Sequence, residues 1–154
     1  MNIILQEIKE QQCKVAEMIA EFEANTKLSA AFPITLNFPV LHAGEQYVGA
    51  IVSANGAKRE HIILLPGEIE SANWQSAMEW AASIGGYLPD RCEMALLFSM
   101  MKDQFKPEWY WTCEQSAANP DFAWMQNFDS GHQDDNRKSV GYRAHAVRRE
   151  LIIQ

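Results

Sequence analysis

The sequence is sparing in cysteine, proline and glycine, and it carries no excess of positive charge. Its three cysteines, Cys13, Cys92 and Cys113, are far apart and odd in number. That excludes a disulfide framework and points to free thiols in a reducing compartment. There is no Cys-x-x-Cys pair, and His42, His61, His132 and His145 share no zinc-ligand spacing with one another or with cysteine. Neither a Gly-x-Ser-x-Gly elbow nor a glycine-rich phosphate loop occurs. The expectation is a protein without catalysis, metal or cofactor. With 13 basic against 20 acidic residues the net charge is -7, which argues against a nucleic-acid partner and against docking on an anionic membrane. No apolar run approaches the roughly 20 residues of a membrane span. No basic segment followed by an apolar core opens the chain, so synthesis in the cytoplasm without a signal peptide is expected.

What is present fits one domain and an appendage. Residues 2–24 contain no Gly or Pro and read as a helix. Met1, Ile8, Val15 and Phe22 recur every seven residues, with Ile4, Gln11 and Met18 in the second register. This is a heptad pattern, widened by Leu5 and Ile19. It serves either packing on the chain's own domain or self-association, with a trimer favoured over a dimer because Ile4 occupies the second register. The expected division is therefore an oligomerisation helix over 1–26, a linker or edge strand over 27–45, and a domain over 46–154. In the linker, Pro33 and Pro39 bracket Ile34–Phe38, a short edge strand or extended segment.

The β-rich runs Tyr47–Ser53 and His61–Leu65 flank Asn55-Gly56, the strongest short hairpin signal, since both residues tolerate positive φ. Pro66-Gly67 ends the second run. Ser71–Ile84 has helical spacing at Trp74, Ala77, Met78, Ala81 and Ala82, and Gly85-Gly86 stops it. Asp90 and Glu93 then form a capping-box-like start to a second helix, whose Ala95, Leu96, Phe98, Met100 and Met101 predict deep burial.

Three further runs, Trp109–Glu114, Phe122–Phe128 and Ser139–Arg149, predict three strands of one antiparallel sheet. Alternation puts Trp109 and Trp111 on one face and Tyr110 on the other. In the last run it puts Tyr142, Ala144, Ala146 and Arg148 opposite Arg143, His145, Val147 and Arg149. An arginine this near the core needs a carboxylate, and Glu114 is the expected partner of Arg148.

Taken in order, these motifs resemble the Lcl C-terminal domain family. The resemblance covers about residues 60–150. It is carried by a tryptophan-bearing helix, Gly85-Gly86-Tyr87-Leu88-Pro89 with Glu93, and Tyr110-Trp111-Thr112 with Glu114. It continues through Ala123-Trp124 to Phe128 with Gly131, and closes on Tyr142-Arg143-Ala144 and Val147-Arg148. Tyr87 stands where the family usually has arginine, and Cys113 where it often has serine. The resemblance implies an α+β, C-type-lectin-like fold of two helices and antiparallel sheets, here preceded by the N-terminal amphipathic helix. It also implies a phage, prophage or bacterial-surface setting, a tail-associated virion protein included. Among the fold's relatives are sugar binders, protein-recognition modules and the cysteine-dependent sulfatase-activating enzymes, and fold alone does not choose among them.

The residues offer four constellations. Asn119-Pro120-Asp121 resembles a lectin calcium loop, but its usual Trp-Asn-Asp partner is replaced by Asp134-Asp135-Asn136 in a later loop. One tripeptide cannot supply the six to eight oxygens calcium takes, and a solvated turn is the plainer reading. Cys92 and Cys113 read as buried small hydrophobes rather than as the thiols of a formylglycine-generating type of enzyme. Trp111 and Trp124 read as core, while Trp109 at a strand start can face a sugar or protein. Finally, loops 115–121 and 129–139 carry Gln115, Asn119, Asp121, Asp129, His132, Gln133, Asp134, Asp135, Asn136 and Arg137. Adaptable polar side chains of this kind suit a protein or glycan receptor. A non-catalytic recognition module is thus expected, with a cytosolic enzyme on the same fold or a calcium-dependent lectin as alternatives.

Overall fold

The computed structural model describes residues 6, 11–21, 23 and 38–152. The chain divides into two units, Met1–Leu36 with Gln154, and Asn37–Ile153. In the first, residues 11–21 are helical (α1) and exposed throughout, as are Gln6 and Glu23. Val15, Met18 and Ile19 of the apolar stripe are 53%, 69% and 53% exposed. The heptad positions Met1, Ile4, Ile8 and Phe22, together with Leu5 and the proposed strand residues 34–37, lie outside the described residues.

The second unit is α+β. Gln46–Val52 (β1) and Arg59–Leu64 (β2) form the expected hairpin. Its turn differs from the tight one the Asn-Gly pair predicts. Only Gly56 has positive φ, at 70°. The connection is longer, closed by Ser53 N–H to the Lys58 carbonyl (2.9 Å) and held by Asn55 Oδ1, which accepts from Ala57 N. Val147–Leu151 (β8) pairs with β2 to complete a three-stranded antiparallel sheet.

The larger sheet has the order β3–β7–β4–β5–β6: Ile69–Ala72 (β3), Tyr142–Ala144 (β7), Trp109–Gln115 (β4), Phe122–Asn127 (β5) and Gln133–Arg137 (β6). It is antiparallel except where β7 runs parallel to β4. The single last strand read from the sequence is therefore two strands in two sheets. At His145-Ala146 the chain leaves one sheet for the other. Ala144, His145, Ala146 and Val147 are all buried, which strict alternation over the whole run does not allow. Residues 133–137, read as loop, are an edge strand. Ser71 and Ala72, read as helix, belong to β3. The helix Trp74–Ser83 (α2) begins only after Asn73, whose Oδ1 accepts from Ser76 N at 2.9 Å.

Arg91–Met101 (α3) starts at the capping box of Asp90 and Glu93, and a 3-10 turn over Lys102–Gln104 follows it. The helix is not deeply buried along its length. Met94 and Leu97 are fully buried, while Cys92, Ala95, Ser99 and Met100 are exposed. The five-stranded sheet has a core on each face. Tyr110 and Phe128 join Met94, Leu97, Ile62 and Leu64 on one. Trp111, Ala123 and Met125 join Ala77 and Ala81 of α2 on the other. The alternation of Trp109 and Trp111 against Tyr110 places these rings as the sequence predicts. Both inner indole N–H groups find carbonyls, Trp111 Nε1 on Ala72 (2.9 Å) and Trp74 Nε1 on Thr112 (2.7 Å).

The ion pairs differ from expectation. Glu114 does not meet Arg148; its Oε1 accepts the Arg91 backbone N–H at 2.8 Å. Arg148 instead grips Glu45 through Nε and Nη2, both at 2.8 Å, and donates to the Val40 carbonyl at 2.7 Å. It thereby ties the segment before β1 to β8. The guanidinium hydrogen bond lowers the Glu45 carboxyl from 4.5 to about 2. His145 is buried against Phe105 and Tyr110, with Nε2 3.4 Å from a Glu68 oxygen, and burial pushes its pKa down. Two acid windows follow by linkage. Both groups have depressed folded pKa values, so the stability they contribute is present above their unfolded values. His145's share is lost as pH falls below its ordinary 6.5, and that of Glu45 between 4.5 and about 2. Denaturant midpoints measured across this range are expected to fall in two steps. Arg148→Met should shrink the lower step, to which the likewise lowered Asp90 carboxyl also contributes, and leave the upper one.

Candidate functional site

Two clefts open at opposite ends of β6. The polar one, about 460 Å³, is lined by Asn119, Asp121, Phe122, Arg137, Lys138 and Ser139. Its geometry is set locally. Asn119 Oδ1 accepts Asp121 N–H at 3.0 Å and the Asn119 carbonyl accepts Phe122 N–H at 3.0 Å, an Asx-type turn. Lys138 N–H donates to the Asp121 carbonyl at 2.9 Å, pinning this turn to the end of β6. The Lys138 ammonium donates to Gln115 Oε1 at 2.7 Å and lies 4.3 Å from the Trp74 ring centroid. Among the described residues neither Arg137 nor Lys138 forms an ion pair with a carboxylate. The cleft therefore offers two cations, one carboxylate and two neutral polar groups to a ligand.

The other cleft, about 640 Å³, lies between α3 and the start of β6. Arg91, Cys92, Ala95 and Phe98 come from the helix, and Gln126, Ser130, Gly131, His132 and Gln133 from the sheet side.

The predicted site residues are thus divided. Asn119, Asp121 and Arg137 meet in the polar cleft, with Gln115 beside it as the Lys138 acceptor. His132 and Gln133 belong to the second cleft, and Trp109 reaches it only through the edge of the His132 ring, 6.1 Å between centroids. Trp109 itself is half-buried against the core of the α2 face. Asp129 lines neither cleft; its carbonyl accepts from Lys102 Nζ at 2.8 Å. Asp134 is exposed on β6, where its Oδ1 accepts Asp135 N–H. Asn136 turns away to donate to the Tyr142 hydroxyl at 2.8 Å. Lys138, Ser139 and Phe122 join the polar cleft, and Arg91, Ala95 and Phe98 of α3 the second, with no sequence motif to mark them as site residues. The hidden signal was β6 itself: Gln133–Arg137 is polar at every position, so no alternation marks it as a strand.

Cys92 is exposed rather than buried, and Cys113 is half-buried, where desolvation pushes its thiol up. Trp124 is half-buried rather than core. Among the described residues no three His, Cys, Asp or Glu side chains lie together as a metal would need, and no helix is long and apolar enough to cross a membrane. In the polar cleft the cations beside Asp121 oppose a divalent ion. Millimolar calcium is expected to leave the melting temperature unchanged; a rise of several degrees reversed by chelator would contradict this. No protein-family model and no curated protein matches the chain.

Proposed function

We propose that residues 46–154 form a non-catalytic, C-type-lectin-like recognition module. The observation that carries this reading is the polar cleft, which brings Asn119, Asp121 and Arg137 together with Lys138 and Ser139 at a strand end. Its ligand is a polar surface, glycan or protein. The guanidinium, ammonium and amide groups suit hydroxyl and acidic groups, and the core-packed sheet behind them holds the loops in place. The tail-associated phage or prophage setting is part of this proposal and rests on the motif order of residues 60–150 alone. Glycan arrays probed with the full chain, with and without chelator, test the reading. Binding that persists in chelator and disappears in Arg137→Ala is expected. Binding that needs calcium transfers the case to the calcium-lectin reading, and hits untouched by Arg137→Ala move the site elsewhere.

The same proposal gives α1 the role of self-association, with the trimer favoured. It is supported by the heptad spacing and by the exposure of Val15, Met18 and Ile19. Removing such a stripe from water contributes roughly 25 cal/mol per Å². Light scattering is expected to report an oligomer for the full chain and a monomer for Val15→Asp/Met18→Asp. An oligomer that survives both substitutions would move the interface to the other unit.

A further inference from the structure

The second cleft is built differently from the first. Gln126 is buried, 1% exposed, and its Nε2 is fixed on the Met94 carbonyl at 3.0 Å. Its Oε1 accepts from Gln133 Nε2 at 2.6 Å, and that nitrogen also donates to the Arg91 carbonyl at 2.8 Å. Gln133 Oε1 in turn accepts Arg91 Nε–H at 2.9 Å. The guanidinium so oriented lies over the Trp124 ring, 3.6 Å from its centroid. A chain of amides anchored in the core thus fixes both the position and the plane of one cation.

That cation rests on an aromatic face and, among the described residues, has no carboxylate partner of its own. Among the described residues Arg91 forms no ion pair, and the nearby Glu114 carboxylate is engaged by the Arg91 backbone N–H instead of its side chain. Of the five guanidinium N–H groups, only the one on Nε has a protein acceptor among the described residues. The N–H groups on the two terminal nitrogens remain, the pair that meets a carboxylate side by side. Beside them the cleft is apolar, with Ala95 and Phe98 along it and Gly131 against the Phe98 ring. The cleft is wide and open to solvent, about 640 Å³.

We propose that this cleft binds a small carboxylic acid with an aryl or branched-alkyl body, its carboxylate on Arg91 and its body over Ala95 and Phe98. The site is separate from the Arg137 cleft and does not depend on that cleft's ligand. The exposed Cys92 thiol lines it and supplies a reporter, while the exposed Cys13 in α1 serves as the control within the same molecule.

The test titrates the full chain with 3-phenylpropionate and with its neutral amide, 3-phenylpropionamide. It follows affinity by calorimetry and alkylation of each cysteine by mass spectrometry. The acid is expected to bind about tenfold or more tightly than the amide, as loss of a charge-assisted pair implies, and to slow alkylation of Cys92 but not Cys13. Arg91→Gln should erase the preference for the acid. Ala95→Trp, which fills the apolar part at an exposed helix position, should block both ligands while leaving the fold intact. Absence of binding, equal binding of acid and amide, or an affinity untouched by Arg91→Gln would each overturn the proposal.

Discussion

Replacing Arg149 by methionine is expected to cost about 3–5 kcal/mol of stability. The reason is Glu93. Its carboxylate is fully buried, and Arg149 holds both oxygens, Nε to Oε1 at 2.6 Å and Nη2 to Oε2 at 2.8 Å. Glu93 also closes the α3 capping box by accepting Asp90 N–H at 2.8 Å. One carboxylate therefore joins the start of α3 to β8. Lys58 adds a cation 3.6 Å from Oε1 and a hydrogen bond to Asp90, bringing in the β1–β2 hairpin. Methionine removes the two strongest contacts and leaves a charge buried with only Lys58 near it. The retained lysine puts the expected value toward the lower end of the range. Thermal unfolding should drop by about 10 °C. Adding Glu93→Gln to the variant should recover part of the loss, since the stranded charge is then gone. An Arg149→Met midpoint within a degree or two of the parent would mean that water reaches Glu93 and the pair contributes little.

Which of these features could be read from the chain follows from how local their causes are. The capping box of Asp90 and Glu93, the hairpin and the helix stop at Gly85-Gly86 are set within a few residues, and all were legible. The face assignment of Trp109, Tyr110 and Trp111 was legible too, because β4 sits between two cores. Arg148 and Arg149 illustrate the opposite case. A strand running unbroken through His145-Ala146 would give Arg148 a neighbour on the Trp111 strand. The change of sheet at that point hands Arg148 to Glu45 and Arg149 to Glu93, partners more than fifty residues away that no local pattern marks. Edge strand β6 leaves no apolar alternation because the side chains it turns inward, Gln133 and Asn136, meet polar partners on Gln126 and Tyr142 rather than an apolar core. The periodicity that reveals strands is a record of burial, and Gln133–Arg137 buries little. The polar cleft was half legible for the same reason. Its turn, Asn119 to Asp121, announces itself, while Lys138 and Ser139 join it only through the end of that unmarked strand.

Gly85 and Gly86 offer the sharpest separation of two roles that the sequence shows only as a pair. Gly85 has φ of 80° and open space where a Cβ would stand. Alanine there meets no neighbour and incurs only the left-handed backbone penalty, about 1–2 kcal/mol. Gly86 has no positive φ but no room. A Cβ would lie 2.5 Å from the Leu65 Cδ1 and 2.9 Å from the Val147 carbonyl oxygen. The leucine methyl can swing aside. The carbonyl cannot, because it accepts Tyr87 N–H at 2.8 Å, and Val147 N–H returns to the Tyr87 carbonyl at 2.8 Å. This reciprocal pair bridges the chain after α2 to the first residue of β8. Relieving the clash means parting Tyr87 from Val147 and shifting Leu65 and Ala146 in the core of the α2 face. Overpacking with lost backbone hydrogen bonds is expected to cost about 3 kcal/mol or more. Gly86→Ala should therefore unfold at clearly lower denaturant than Gly85→Ala. Hydrogen exchange of the Tyr87 and Val147 amides should accelerate in the first and remain slow in the second. The reverse order of stabilities would mean that backbone conformation, not the close approach of β8, is what this glycine pair provides.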